Sequence, residues 1–419
     1  MKLGLMMRRV RGTRDIYPSE FNLFEKILET SRNLGILYGF EPFSIPIMEY
    51  TNIFNRTLGD SSDVVSKEMY SFEDRGGDSI TLRPEFTAGV MRSVISESKT
   101  HSLPLRLFTS GPVFRYDRPQ AGRQRQFHQI NFEIIGEDSV IADLDIIKLS
   151  NDILKNLGIN NGITLEINSL GCLESRKKYQ KALYDFLINY ENDLSQDSKA
   201  RLHKNPLRIL DSKNTKDQEI VHDAPNILEF QTNESRIRFD KLLDMLTNEG
   251  IDFTYNKKLV RGLDYYTHTA FEFVSNDLGA QGTVIGGGRY DGLSQIMSKY
   301  EIPAIGFAGG IERLMILLKD HYNYYNNKIG LLPAGDININ YIYKIATKLR
   351  ENNIPVLIFD SGKMAKRIDK AYNKGCIAVL FIGEDEVKKN KFKFKDLAQG
   401  EEIELTLQEA ISNSLKILQ

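Results

Sequence analysis

Tryptophan is absent from this chain, cysteine occurs only at positions 172 and 376, and no apolar stretch runs long. The longest uninterrupted one, Cys376–Ile382, is far short of the roughly 18 residues that a membrane-spanning helix needs. The opening residues, Met1-Lys-Leu-Gly-Leu-Met-Met-Arg8-Arg9, lack the apolar core of about 7–15 residues that marks a secretory signal. Neither cysteine belongs to a C-x-x-C pair. His101, His128, His203, His222, His268 and His321 show no ligand spacing with the cysteines or with one another. A disulfide framework and a structural zinc site are therefore not expected; the expected setting is the cytoplasm, with reduced thiols and no membrane. Net charge is lacking too: 55 Lys and Arg meet 56 Asp and Glu, a formal −1. That balance excludes a polycation whose whole surface grips nucleic acid and leaves room for a local basic site.

What is present is globular chemistry, 41% hydrophobic and 26% charged over 419 residues, chain enough for about two to three domains. Phe21, Phe24, Ile27, Leu28, Leu34 and Leu37 fall near helical spacing behind Pro18, and Gly39 and Pro42 stop that helix. The stretch Phe43-Ser-Ile-Pro46-Ile-Met48 reads as extended, and Pro46, lacking an N–H, confines it to an edge or interface strand. Ile80–Arg83 reads as a strand feeding a helix, with Pro84 at the first helical position and Phe86, Val90, Met91 and Val94 on the apolar face. Residues 113–134 read as a hairpin whose arms, Val113–Tyr116 and Phe127–Ile134, are joined by Arg118-Pro-Gln-Ala-Gly-Arg-Gln-Arg125. From about Cys172 to Met245 the pattern changes. Residues 191–220 hold six Lys or Arg and six Asp or Glu among few apolar residues, which predicts a helical insertion packed loosely on its host.

Strand character returns over Leu259–Phe273, Gly286-Gly-Gly follows, and Ile311, Leu314, Met315 and Leu318 mark a helix. Beyond the Asn/Tyr-rich linker His321–Asn327, short apolar strands at Ile329–Leu332, Val356–Phe359 and Ile377–Ile382 alternate with helical patterns. That is the grammar of a compact α/β domain with a largely parallel sheet. A capping box, Thr406-x-x-Glu409, opens the last helix, with Leu407, Ile411, Leu415 and Leu418 on one face.

The hairpin is the most informative piece. Side chains alternate along a strand, so Ile130, Phe132 and Ile134 share a core face while Phe127, Gln129, Asn131 and Glu133 share the other. An aromatic ring, amides and a carboxylate in a row are too polar for a second core layer. The loop adds Arg115, Arg118, Arg123 and Arg125 against Asp117, a local +3 whose guanidinium forks match phosphate geometry. A solvated hairpin with ordinary surface arginines accounts for the loop equally well. Arg261-Gly-Leu-Asp-Tyr265-Tyr266 gathers an Arg, an Asp and two phenols, which half-core tyrosines on a strand also explain. Gly286-Gly-Gly is a weak phosphate cradle and reads better as a tight turn. Glu85 can serve simply to complement a helix dipole, and Gly306-Phe-Ala-Gly-Gly310-Ile-Glu-Arg313 can serve helix–sheet packing. It is their co-occurrence that points to a site for a nucleotide phosphate and a small polar ligand.

These segments resemble the signature motifs of class II aminoacyl-tRNA synthetases, and specifically the histidyl-tRNA synthetase family. Gly39-Phe40 with Pro46-Ile-Met resembles motif 1, Phe114-Arg115 through Glu133 motif 2, and Gly306–Arg313 motif 3. Leu259-Val-Arg261-Gly-Leu-Asp-Tyr265-Tyr266 and Gly286-Gly-Gly-Arg-Tyr290-Asp resemble the histidine-specific signatures; Arg11-Gly-Thr-Arg-Asp15 and Leu82-Arg-Pro-Glu85 also fit. Phe86 departs from the pattern, standing where many members have glycine.

The resemblance implies an α+β catalytic domain over residues 1–325, an antiparallel sheet flanked by helices, with the helical insertion at about 172–245. A C-terminal α/β anticodon-binding domain over 328–419 follows. The implied activity is ATP-dependent formation of histidyl-adenylate from L-histidine and transfer to the 3′ end of tRNA(His). The implied assembly is a homodimer, with Mg²⁺ accompanying ATP and no metal held by residues of the chain.

The same resemblance implies roles for single residues. Arg115 and Arg261 would flank the α-phosphate as the catalytic pair, Arg261 doing electrostatic work that a metal performs in related synthetases. Phe127 would stack on adenine, with Arg313 on the other face or near the γ-phosphate, and Arg123 would reach the terminal phosphates. Glu85, Thr87 and Gln129 would take the α-amino group. Glu133 and Tyr266 would read the imidazole nitrogens, Tyr265 and Tyr290 would wall the pocket, and Gln120 would touch the tRNA end.

Residues 328–419 hold 15 Lys and Arg against 12 Asp and Glu, a +3 that leaves the rest of the chain at −4. Lys388, Lys389, Lys391, Lys393 and Lys395, interleaved with Phe392 and Phe394, suit RNA phosphates or a solvated edge strand equally. The rival from another class is a non-catalytic, histidine-sensing paralogue, the regulatory subunit of ATP phosphoribosyltransferase. That paralogue usually lacks the C-terminal domain and has eroded signatures, whereas Arg115, Arg261 and Arg313 all stand here. A generic nucleotide-binding scaffold would not need an intact histidine pocket.

Overall fold

Pro18 opens the first helix, α1 (Pro18–Leu37), where its fixed φ suits the first turn and its missing N–H goes unused. The helix ends before Gly39, which takes a left-handed φ of +77°. The structure, a computed structural model, describes residues 8–58, 64–120, 122–261, 265–319 and 327–418. The chain divides into two units, Met1–Tyr322 and Asn323–Gln419.

In the first unit α1 is followed by β1 (Glu41–Pro42), β2 (Met48–Tyr50), α2 (Thr51–Leu58), β3 (Tyr70–Glu73), β4 (Ser79–Leu82) and α3 (Thr87–Ser96). The hairpin β5 (Leu105–Phe114) and β6 (Gln126–Ile135), then α4 (Val140–Asn156) and β7 (Ile163–Ser169), lead into the insertion. Its helices are α5 (Leu173–Leu187), α6 (Gln196–Leu202), α7 (Thr215–His222) and α8 (Asn233–Asn248). The unit closes with β8 (Thr254–Tyr255), β9 (Thr267–Ser275), β10 (Thr283–Arg289), α9 (Leu293–Met297), β11 (Ala304–Gly310) and α10 (Ile311–Leu318). Eight strands form one sheet in the order β1-β5-β6-β11-β10-β9-β7-β8. Its interior pairs are antiparallel, and only the rim pairs β1/β5 and β7/β8 are parallel. Strands β2, β4 and β3 make a separate small sheet.

Strand β6 divides core from site as its alternation predicts. Ile130, Phe132 and Ile134 are buried in the cluster that also takes Leu23, Phe24 and Ile27 of α1 and Ile146, Ile147 and Ile153 of α4. Phe132 sits at the centre, with ring centroids 4.6 Å from Phe108, 4.9 Å from Phe307 and 5.1 Å from Phe40. Gly35 lets α1 descend onto that ring: a Cβ there would lie 2.6 Å from Phe132 Cε1.

Several local expectations give way to tertiary demands. Pro84 precedes helix α3 instead of opening it, because the Glu85 carboxylate receives the N–H groups of Thr87 (2.6 Å) and Ala88 (2.9 Å) and the helix starts there. Phe86 has φ −99° and ψ −37°, open to any residue, so glycine is not needed; its buried ring lies 4.3 Å from the Arg83 guanidinium. Residues 43–47 join no strand. Pro46 offers no N–H, and buried Arg83 takes the carbonyls of Ile45 (2.8 Å) and Pro46 (3.3 Å). The first hairpin arm starts earlier and stops sooner than expected, at Leu105–Phe114. Strand β9 begins only at Thr267, so Arg261, Tyr265 and Tyr266 lie on the segment before it; Gly262, Leu263 and Asp264 fall outside the described residues. Gly286, Gly287 and Gly288 make neither a turn nor a phosphate cradle but stand in β10, paired with β9 and β11.

The insertion is helical, as its composition predicts, yet it is not loosely packed. Its Leu183, Leu202 and Ile209 belong to the same buried cluster as Phe86, Tyr265 and Tyr290.

The second unit comprises β12 (Lys328–Pro333), α11 (Ile339–Glu351), β13 (Val356–Ile358), α12 (Met364–Asn373), β14 (Cys376–Ile382), α13 (Glu384–Lys389), β15 (Phe392–Asp396), β16 (Glu402–Leu405) and α14 (Leu407–Leu418). The sheet order is β13-β12-β14-β15-β16. It is mixed rather than largely parallel: β15 and β16 return antiparallel. Strand β15 is therefore interior, with Phe392 and Phe394 buried and Lys395 bonded to Glu402 at 2.8 Å. The capping box closes as predicted, Thr406 N to Glu409 at 2.8 Å and Glu409 N to Thr406 Oγ1 at 3.4 Å, but Leu415 is exposed. Among the described residues no helix is long and apolar enough to cross a membrane.

Alanine in place of a helical glycine ordinarily stabilises by about 1 kcal/mol. Gly35→Ala is expected to do the reverse, lowering stability by about 1–2 kcal/mol, because the new methyl strikes Phe132. Combining it with Phe132→Leu should cost less than the two changes summed. Urea midpoints of the four proteins measure this, and an unchanged or raised midpoint for Gly35→Ala would contradict the packing described.

Candidate active site

The polar face of β6, the inner faces of β10 and β11 and the segment before β9 enclose one cavity. Phe127, Gln129 and Asn131 line it from β6, and Gly286, Gly306, Ala308 and Gly310 from the neighbouring strands. The small residues open space over the sheet. At Gly286 a Cβ would lie 2.6 Å from Arg261 Nη1, so the guanidinium rests against bare backbone.

Four of the predicted arginines reach this cavity. Arg115 donates from Nε to the carbonyl of Pro84 at 2.9 Å and lies 5.5 Å from the Phe127 ring centre. Arg123 pairs with Asp117. Arg261 pairs with Glu272, whose other oxygen accepts from Thr283 Oγ1 at 2.6 Å. Arg313 is anchored on the carbonyls of Thr283 and Gly122. Burial pulls Arg115 and Arg313 below the usual guanidinium range; Arg123 presses on both and Arg115 presses on Arg313, while Glu68 and Glu85 oppose the shift at Arg115. For Arg261 burial acts the same way, but Glu272 together with the Tyr266 and Tyr265 phenols outweighs it and holds the charge firmly. Converging, desolvated guanidinium groups make this end a site for an anion with several oxygens.

The other end is a ring of hydroxyls and acids. Glu85, Thr87, Gln129, Tyr265 and Tyr266 line the cavity. Burial lifts the Glu85 carboxyl against the pull of the Ala88 and Thr87 N–H groups and Arg115. Tyr265 stacks 4.7 Å from Tyr266 and 5.7 Å from Tyr290. Glu133 and Tyr290 do not line the cavity. They are buried directly behind it, where Glu133 accepts from Tyr290, from Thr87 Oγ1 at 2.6 Å and from Asn131 Nδ2 at 3.0 Å. Burial outweighs these bonds and pushes the Glu133 carboxyl up to about 7. Among the described residues the buried acceptors Gln129 Oε1, Asn131 Oδ1 and Gln124 Oε1 have no hydrogen-bond partner. Buried polar atoms are normally bonded, so these mark surface shaped for a polar guest. Gln120 is exposed at the loop, bridged to Arg123 through backbone bonds, and does not line the cavity.

Sequence reasoning assigned no role to Asn131, Glu272, Thr283 or Glu312, which also shape the site. Glu312 receives the backbone N–H of His128 at 2.9 and 3.1 Å and so fixes the chain beside Phe127. Its signal was its place next to Arg313; that of Glu272 was a lone carboxylate between Phe271 and Phe273. No three His, Cys, Asp or Glu side chains converge as a metal site among the described residues.

The family model described as histidyl-tRNA synthetase matches residues 12–314, and that of an anticodon-binding domain matches residues 328–416. The chain belongs to the histidyl-tRNA synthetase family. A histidine–tRNA ligase of Rickettsia bellii is 51% identical over 407 residues, covering 97% of this chain and 98% of that protein. The counterpart of Rickettsia typhi is 49% identical over 406 residues, with the same coverage. The apo histidyl-tRNA synthetase structure from S. aureus superposes with a TM-score of 0.81 at 32% identity, covering 97% of this chain and 99% of that one.

A buried carboxyl lifted to about 7 binds a proton that the unfolded chain, at about 4.5, has already released, so folding loses stability as pH rises between those values. Glu133→Gln is therefore expected to raise the melting temperature of the ligand-free protein at pH 8, with the gain fading below pH 5. A pH series of thermal melts on both proteins checks it, and a pH-independent difference would contradict the burial cost.

Proposed function

We infer that the chain is a histidine–tRNA ligase: it joins L-histidine to AMP with release of diphosphate, then passes the histidyl group to the 3′ end of tRNA(His). The observation that carries this is the cavity's two unlike ends, four converging arginines against a hydroxyl- and carboxyl-lined pocket. In the first step a carboxylate oxygen of histidine attacks the α-phosphorus of ATP, and the bond to diphosphate breaks. Arg115 and Arg261 would flank the α-phosphate and stabilise the charge that builds there. Phe127 would stack on adenine, and Arg123 and Arg313 would hold the nucleotide's outer face and terminal phosphates. Glu85, Thr87 and Gln129 would take the α-amino group, the unbonded Gln129 Oε1 supplying an acceptor.

Glu133 and Tyr266 would read the imidazole nitrogens beside Tyr265, with Tyr290 behind the pocket bonded to Glu133. To do so Glu133 exchanges one present donor, Thr87 or Tyr290, for the ring N–H. A site that must satisfy both ring nitrogens rejects apolar side chains of similar size, because they leave its own groups unpaired. Mg²⁺ would arrive with the phosphates of ATP and neutralise the diphosphate side. Exposed Ile47, Met48 and Tyr50 support a homodimer through the motif 1 segment. The second unit, residues 328–419, would read the anticodon, Gln120 would meet the acceptor end, and the cytoplasm is the proposed location.

The histidine-sensing alternative has a structural counterpart. An ATP phosphoribosyltransferase regulatory subunit/histidyl-tRNA synthetase from Bacillus halodurans superposes with a TM-score of 0.67, but at 23% identity that shows the fold alone. Histidine-dependent ATP–diphosphate exchange separates the readings. Exchange is expected with histidine and not with other amino acids; none with histidine would leave the sensor. Arg261→Ala is expected to lower exchange by about 10²–10³-fold with histidine affinity held within a few-fold. Near wild-type exchange would remove Arg261 from catalysis. Truncation before about residue 326 should depress tRNA charging far more than exchange, whereas equal losses would argue against an anticodon-reading second unit.

A further inference from the structure

Arg289 is the largest fully buried side chain among the described residues, and no step of the adenylation chemistry uses it. Its guanidinium is saturated. It donates to both oxygens of Asp143, to Asp291 Oδ1 at 3.2 Å and to the carbonyls of Glu137 (3.1 Å) and Ser139 (3.3 Å). Asp143, equally buried on α4, also accepts from Thr269 Oγ1 at 2.6 Å and from Arg238 Nη2 at 2.9 Å. One carboxylate thus joins four elements: α4, β9, β10 and, through Arg238, helix α8 of the insertion. Desolvating each ion costs several kcal/mol, and apolar side chains of the same volume would often be as stable. What such a pair supplies is fixed position.

Position matters here because of what is attached. Arg289 and Tyr290 are consecutive on an extended chain, so one side chain enters this network while the other reaches Glu133 behind the cavity. On β9 the register breaks: Arg289 pairs with Thr267 and Gly288 with Ala270, leaving His268 and Thr269 as extra residues. His268 has φ +46°, an unusual value for a residue with a side chain, and such irregularities re-aim neighbouring groups. Two residues before His268 stands Tyr266, whose carbonyl is held by Arg176 of α5 at 3.0 Å. The Tyr266 segment is thus gripped directly by an arginine of the insertion, and the Tyr290 segment indirectly, because Arg238 bonds the same Asp143 that holds Arg289. At the phosphate end the carbonyls that anchor Arg115 (Pro84) and Arg313 (Thr283 and Gly122) come from outside the insertion.

We propose that the buried Asp143–Arg289 pair is a positioning element of the amino-acid pocket. Through Arg238 and Arg176 the seating of the helical insertion governs how tightly that pocket holds its imidazole substrate. The proposal rests on the ligase reading and adds that amino-acid affinity, and not ATP affinity, is set from the insertion.

The test measures full-length wild type, Arg238→Met and Arg238→Lys in ATP–diphosphate exchange, with melting temperatures alongside. Arg238→Met is expected to raise KM for histidine about tenfold with KM for ATP within twofold, and Arg238→Lys to restore most of the loss, since an ammonium still answers Asp143. An unchanged histidine KM overturns the proposal, as does a joint rise in both KM values that follows the melting temperature. Should Arg238→Met fail to fold, Arg176→Met is judged by the same split. Wild type without histidine-dependent exchange would sink the ligase reading and this proposal together; wild-type exchange beside an unmoved Arg238→Met sinks only the proposal.

Discussion

Guanidinium groups repel one another, and removing water strengthens that repulsion, so bringing four of them to one cavity constrains everything around it. Each needs a partner that fixes its direction without cancelling its pull on a ligand. Glu272 serves Arg261 and Asp117 serves Arg123, while backbone carbonyls orient Arg115 and Arg313. Carbonyls orient but do not neutralise, and so burial leaves Arg115 and Arg313 short of negative charge. A polyphosphate corrects that shortage. The glycines at 286 and 310 belong to the same constraint, because Arg261 and Arg313 lie against them, whereas Gly306 leaves room for the Glu133 carboxyl.

The opposite end solves a different problem. A fully ionised carboxylate would attract any cationic side chain. Burial lifts the Glu133 carboxyl towards neutrality, so in the proposed reading a ring N–H would meet a group closer to imidazole's own range than an exposed carboxylate is. A lysine or arginine side chain gains less from a carboxyl that burial keeps partly neutral. In that reading selectivity at this end would come from desolvation as much as from hydrogen-bond count, and it would depend on the burial of Glu133.

Much of this was legible in the sequence because strand alternation carries it. The two faces of β6 followed from period two alone, and so did the contrast between Phe132 in the core and Phe127 at the cavity. Helix starts were legible where the cap was local, as at Thr406 and Glu409. They were misread where the capping group, Glu85, stood beside a proline that itself favours helix starts. The segment before β9 reads as a strand because Leu259, Val260, Tyr265 and Tyr266 run into the β-rich Thr267–Phe273. What it does instead, delivering Arg261 and two tyrosines to a cavity, depends on Glu272 and Gly286, distant in sequence. Nothing in the local pattern of Gly-Gly-Gly-Arg-Tyr distinguishes a turn from a central strand; only the neighbours Gly288–Ala270 and Gly287–Phe307 decide it.

The formal −1 acquires a physical meaning from where the charges sit. Arg83, Arg115, Arg261, Arg289 and Arg313 are inside, and their charge is spent on ligand and scaffold rather than on a surface field. In the second unit Lys395 is committed to Glu402, and the phenylalanines between the lysines serve the core. A chain built this way has little long-range attraction for a polyanion, so an RNA partner gains affinity from fitted contacts and not from counterion release along its whole length. Selectivity for one tRNA is easier under that condition, since the sequence-independent share of binding is small to begin with.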